Sequence, residues 1–324
     1  MSRKKLIDIV KKRDRSIKEI YEEYLKHCIS IGQSEGTIES KKLFFRYSLP
    51  KIVKVDDKIS TFTKDKLDNH IIWMRKSGYS GNYYQTLIIK SKAFLTYCFN
   101  HHYLKKFEIK IPIITQKKKE IYHEDELIKL LKKPNLRTCL VGEYKSWVTI
   151  NFCLGTGCRA ATLLNVLVKD VNFQEKSILF RHMKAHKQIT VPLSPTLENV
   201  LMEYIELLDL KDDDLLFPKL DKKKMSYDTL HQEIDNYCKH RYIKMRGINV
   251  YRNTFATLFI KNGNKNIYLL QKLLGHADIK QTERYINLLP LEMKEDINKY
   301  NPLDVLSHKR LKLNRSNKGG RRQC

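Results

Sequence analysis

The stretch from Asn249 to Tyr285, NVYRNTFATLFIKNGNKNIYLLQKLLGHADIKQTERY, constrains the fold of this chain more than any other. Phe255, Leu258 and Phe259 recur at helical spacing, as do Ile267, Leu270, Leu273 and Leu274. That spacing predicts two amphipathic helices broken at Asn262-Gly263, with a third short helix after Gly275-His276. The polar residues left at the junctions are Asn249, Arg252, His276 and Tyr285. Arginine suits a phosphate because its planar, permanently charged fork can bond two oxygens at once. Tyrosine carries a phenolic oxygen that can act as a covalent nucleophile.

Charge narrows the partner. The chain holds 62 Lys+Arg against 36 Asp+Glu, a formal net charge of +26, and an excess of that size favours a polyanion, most simply DNA or RNA. A protein bound to acidic lipid is the alternative, but it needs a basic amphipathic helix with an exposed apolar face, and none is found. No apolar run approaches the roughly 20 residues of a membrane span, and the start, MSRKKLIDIVKKRDR, lacks the apolar core of a signal peptide, so a cytoplasmic protein is expected. The seven cysteines are scattered without a CxxC pair or a His/Cys cluster, so free thiols are expected and structural zinc is not.

The run RNTFAT, then LLGH, then a tyrosine nine positions beyond His276 resembles the C-terminal signature of the tyrosine recombinases, the phage-integrase family. Upstream, GTGCRAATLLNVLVKDV resembles the turn in which that family carries its first catalytic arginine, which maps onto Arg159. The family's acidic residue three positions later is here Thr162, and the histidine of its HxxR motif is Asn249; the next family histidine is likewise an asparagine, Asn253. An asparagine can hydrogen-bond a phosphate oxygen or the phenol but cannot take up a proton near neutral pH.

Taken in order, residues 1–15 read as a basic arm. Ser16 with Glu19 makes a capping box for a helix whose face is Ile17, Ile20, Tyr21, Tyr24 and Leu25. Further helices are expected over Thr37 to Leu49, Lys64 to Lys76, and from Ser80 through Phe99, so residues 16–104 form a helical bundle. The lysine-rich stretch 105–120 reads as a linker. A new helix starts in IYHEDELIKLL, with acidic residues in its first turn as the helix dipole favours, and Ser146 to Leu154 marks a buried helix. Two strands, Ser177 to Arg181 and Gln188 to Pro192, flank the basic turn HMKAHKQ; Pro195 to Leu210 reads as a helix and DDDLLFP as a third strand. Residues 121–300 are the expected catalytic domain, and 301–324 a C-terminal segment whose tail, from His308, holds seven Lys+Arg and no acid.

The resemblance implies a mainly α fold, with an N-terminal helical core-binding domain and a mostly helical catalytic domain bearing a small antiparallel sheet. It implies a site-specific DNA recombinase, an integrase or transposase of a mobile element, that needs no cofactor and acts on double-stranded DNA. Tyr285 would be the nucleophile, Arg159 and Arg252 the phosphate clamp, His276 and Asn249 positioning groups. A lysine of the β-hairpin would serve as general acid: Lys184, with Lys187 competing. Lys187 would touch DNA; the basic run of Lys222, Lys223 and Lys224, read from the residues themselves, either neutralises DNA phosphates or is a solvated charge run. Self-association into a tetrameric synapse is implied, with Leu303, Val305 and Leu306 docking on a neighbouring protomer. A type IB topoisomerase-like enzyme, or a DNA-binding protein of the same fold without chemistry, are the alternatives.

Overall fold

The computed structural model describes residues 15–114, 119–181, 188–261 and 266–286. The chain divides into two compact units, Met1–Lys117 and Lys118–Cys324.

In the first unit, α1 (Ile17–Ser30) opens with the capping box: Ser16 Oγ accepts from Glu19 N, and a Glu19 carboxylate oxygen accepts from Ser16 N. Its inward face of Ile17, Ile20, Tyr21, Tyr24 and Cys28 is buried. The helix expected over Thr37 to Leu49 is shorter and starts earlier, as α2 (Glu35–Leu43); Phe44–Ser48 then widens into a π turn and Leu49–Lys51 tightens into a 3₁₀ turn. Pro50 falls at this change of winding and has no N–H to give to the helical ladder, while Leu49 before it keeps helical backbone. Helices α3 (Lys64–Lys76) and α4 (Gly81–Asn100) are capped by Thr63 and Ser80, whose hydroxyls accept from Lys66 N and Tyr83 N. Phe94, Leu95 and Cys98 of α4 are fully buried against Tyr21, Phe44 and Phe62.

The second unit is built on α6 (Val141–Thr156), which packs against α5 (Glu124–Leu131), α8 (Pro195–Leu207), α9 (Tyr227–Lys239) and α10 (Ile248–Lys261). Surrounded in this way, α6 buries most of its residues, including Trp147, Val148, Ile150 and Phe152. Lys145 is buried with them, its ammonium satisfied by the Pro218 carbonyl at 3.0 Å and the Glu233 carboxylate at 2.9 Å. A one-turn helix, α7 (Ala160–Leu163), leads to the antiparallel sheet β1-β2-β3, formed by Val171–Asn172, Ser177–Phe180 and Ile189–Pro192. Ile178 pairs with Val191, and both are buried with Phe180 on the core side.

DDDLLFP, expected as a third strand, is not one. Leu215 makes a single bridge to Leu167, and Leu216 N bonds the Val166 carbonyl, so this stretch is tied to the loop before the sheet and buries Leu216 and Phe217. The third strand is instead Val171–Asn172, which turns directly into β2. After α10 come α11 (Ile267–Leu274) and α12 (Lys280–Ile286). Ala256, Ile260, Leu270, Leu274 and Tyr285 form their own small apolar cluster. Among the described residues no helix is long and apolar enough to cross a membrane.

Candidate active site

Two helix ends meet a third helix at one place. Helix α6 ends at Gly157 and α11 at Gly275, both in the left-handed conformation (φ 62° and 60°) that lets the chain turn sharply. The last carbonyls of a helix lack intrahelical partners and carry the negative end of its dipole. Here both ends aim them at the same arginine of α10: Arg252 NH1 donates to the Gly157 carbonyl and NH2 to that of Leu274, each at 2.8 Å. Gly157 admits no side chain, since a Cβ would lie 2.4 Å from the ring of Phe255.

Arg159 follows that turn, partly buried at the start of α7, and its NH1 reaches the same Leu274 carbonyl at 3.5 Å. The two guanidiniums therefore stand together, and among the described residues neither pairs with a carboxylate. Burial, then the charge of Arg159, brings Arg252 down to about 10, still cationic at neutral pH, and burial lowers Arg159 too. Neighbouring cations, held by neutral acceptors and by no carboxylate among the described residues, form a site that an anion would complete.

His276 and Tyr285 flank the pair. The His276 Nε2 lies 2.8 Å from Arg252 NH2 and Nδ1 lies 2.8 Å from Thr282 Oγ1. A guanidinium can only donate, so Nε2 accepts and the ring proton sits on Nδ1, facing Thr282. Burial, followed by the charges of Arg252, Arg159, Lys119 and Arg284, pushes the imidazole down to about 3. The ring is therefore neutral. The imidazole lies nearly parallel to the Tyr285 ring, with centroids 6.3 Å apart, and Lys119 Nζ lies 3.8 Å from the centre of the phenol ring. Tyr285 is 2% exposed, and its hydroxyl donates to Asn253 Oδ1 at 3.2 Å.

The structure thus brings Arg159, Arg252, His276 and Tyr285 together and leaves Asn249 apart. Asn249 is exposed at the start of α10 and its side chain makes no hydrogen bond to a described residue; of the two contacts expected of it, to a phosphate oxygen or to the phenol, the second is made by Asn253, one helical turn on. Lys184 and Lys187 lie outside the described residues. The strand before them is anchored by an ion pair from Arg181 to buried Asp170, which also caps Leu167 N. Lys222, Lys223 and Lys224 are exposed, but Lys222 pairs with Asp214 and Lys223 with Asp221, both at 3.3 Å, and Lys224 bonds Asn165. Thr162 is buried, and its N–H donates to the Arg159 carbonyl at 2.9 Å.

Sequence reasoning missed Thr282, Lys119 and the partner role of Asn253. Thr282 was findable, since it lies one helical turn before Tyr285 and so on the same face of α12. Lys119 gave no signal among its neighbouring lysines. Among the described residues no group of three or more His, Cys, Asp or Glu could hold a metal ion.

Residues 121–292 match the family model of the Phage integrase family. Tyrosine recombinase XerA of Saccharolobus solfataricus is 29% identical over 282 residues, covering 86% of this chain and 91% of that protein. Tyrosine recombinase XerD of Staphylococcus saprophyticus is 25% identical over 298 residues, covering 87% and 98%. Among solved structures, a lambda integrase dimer bound to a COC′ core site superposes with a TM-score of 0.69 at 13% identity, covering 88% of this chain and 81% of that one. The Tn1549 transposon integrase in complex with circular intermediate DNA gives 0.68 at 16% identity, covering 84% and 95%. At those identities the two structures bear on the fold.

Proposed function

The chain belongs to the phage integrase family, the tyrosine recombinases, and from that premise we propose that it is a site-specific DNA recombinase whose nucleophile is Tyr285. The observation that carries this reading is the paired guanidiniums of Arg159 and Arg252, without a carboxylate partner among the described residues, beside the buried phenol. The Tyr285 oxygen attacks the scissile phosphorus, forming a 3′-phosphotyrosyl bond and expelling the 5′ oxygen. The bond energy stays in the protein-DNA ester, so rejoining needs no nucleotide triphosphate. Arg159 and Arg252 hold the nonbridging oxygens, and losing one such preorganised donor costs about 3–4 kcal/mol of transition-state stabilisation.

Lys184 of the hairpin turn protonates the leaving 5′ oxygen, general-acid help worth about 10²–10⁴ in rate. His276, neutral and accepting from Arg252 before DNA binds, positions that arginine; the phenolic proton passes to water, or to His276 once the phosphate offsets the neighbouring cations. Asn249, exposed beside Arg252 on α10, is free to donate to a phosphate oxygen. The same reading has the enzyme act on double-stranded DNA of a mobile element through a Holliday-junction intermediate, within a tetrameric synapse in which residues after 300 dock in trans. The XerA and XerD relatives and the DNA-bound integrase neighbours support the DNA partner.

Trapping the covalent adduct on a suicide DNA substrate tests the assignment. Tyr285→Phe should bind DNA as the parent does and form no adduct. An adduct that survives the substitution overturns the choice of nucleophile.

A further inference from the structure

The side chain that holds the phenol also holds a second segment of chain. Asn253 Oδ1 accepts from the Tyr285 hydroxyl at 3.2 Å, and its Nδ2 donates to the Glu120 carbonyl at 3.4 Å. The neighbouring Lys119 places its ammonium over the same phenol ring, 3.8 Å from its centre. Residues 119 and 120 stand at the end of the lysine-rich stretch that leads into this unit; Lys119 touches Tyr285 directly, and Glu120 reaches it through Asn253.

We propose that Asn253 is a positioning residue for the nucleophile, whose amide orientation is set by the Glu120 carbonyl, so that strand cleavage depends on where residues 119 and 120 lie. This rests on Tyr285 being the nucleophile. A carbonyl oxygen can only accept, so the Asn253 N–H must face Glu120, and the amide is left with only its oxygen to offer Tyr285. The phenol therefore keeps its proton and serves as the donor. Withdrawal of the Glu120 carbonyl frees the amide to turn and present an N–H to the phenolic oxygen instead. The polarity of the contact at the attacking atom thus follows the position of the chain at 119–120. Thr257 Oγ1 bonds the Asn253 carbonyl at 2.9 Å and fixes the backbone from which the amide swings.

The role requires one donor and one acceptor at position 253, and that requirement separates it from packing. Asn253→His supplies both when its ring is neutral, Asn253→Asp supplies acceptors only, and Asn253→Leu has similar volume and supplies neither. Single-turnover adduct formation on a suicide substrate is measured at pH 8, with DNA affinity and thermal unfolding followed for each variant and Tyr285→Phe run alongside. Asn253→His should stay within about 3-fold of the parent, while Asn253→Asp and Asn253→Leu fall by about 10-fold or more with unchanged DNA affinity, as expected for one lost polar contact at the reacting atom. An Asn253→Leu or Asn253→Asp rate equal to the parent's overturns the proposal, as does a loss that merely tracks the unfolded fraction. Should Tyr285→Phe itself form adduct, the nucleophile assignment fails first, and the proposal with it.

Discussion

His276 shows what its surroundings demand of a single side chain. Accepting from one arginine and repelled by four cations, it is held as a neutral ring with its proton turned to Thr282. Its folded-state value of about 3 lies below the ordinary 6.5, so between those values the unfolded chain binds a proton that the native protein refuses. Stability contributed by the neutral ring is therefore complete above pH about 6.5 and is lost as the pH falls from there toward about 3. His276→Gln keeps an acceptor for Arg252 and a donor for Thr282 without titrating. Denaturant unfolding at a series of pH values should show a shallower loss of stability below pH about 6.5 for the variant than for the parent. Equal slopes would show that His276 protonates normally in the folded protein.

At the scale of elements, the site is a product of how helices end. Gly157 and Gly275 terminate α6 and α11 so that their last carbonyls converge on Arg252, and α10 crosses close enough that Phe255 fills the space above Gly157. A Cβ at Gly157 meets ring atoms at 2.4 and 2.8 Å, on backbone at φ 62°. Gly157→Ala should cost about 1–3 kcal/mol of stability from strain and overpacking and should also displace the turn carrying Arg159. Thermal unfolding together with adduct formation checks this; a variant as stable and as active as the parent would mean that α10 can move away from α6 freely. The four-residue helix α7 shows the same dependence on ends, since Arg159 is its N-cap residue.

At the scale of the whole molecule, the excess of 26 positive charges suits a DNA partner, and the chemistry proposed for the chain falls on the paired arginines. The apolar residues Leu303, Val305 and Leu306 lie outside the described residues, and the docking proposed for them is tested by removal. Deleting residues from Asn301 onward should leave single-site DNA binding mostly intact and abolish synapsis and strand exchange, read by gel shift and by recombination of two sites on one plasmid. Recombination at the parent's rate would exclude a role in trans.

The residues themselves determined what depends on local spacing. Helical periodicity, the capping box of Ser16 with Glu19, the helix opening at Ser80, and the order of RNTFAT, LLGH and Tyr285 were legible because each is settled within a few turns of chain. The mainly helical fold with its small sheet followed from them. Other features waited on contacts between segments far apart. DDDLLFP has strand-like residues, but whether it joins a sheet depends on which backbone lies beside it, and that backbone is the loop at Val166 and Leu167. Asn249 and Asn253 stand on the same helix one turn apart, and no local rule says which amide meets a phenol 32 residues beyond the second. Helix α12 decided it, by seating Tyr285 in the cluster of Ala256, Ile260, Leu270 and Leu274, where the hydroxyl comes within reach of Asn253 and Asn249 is left in solvent.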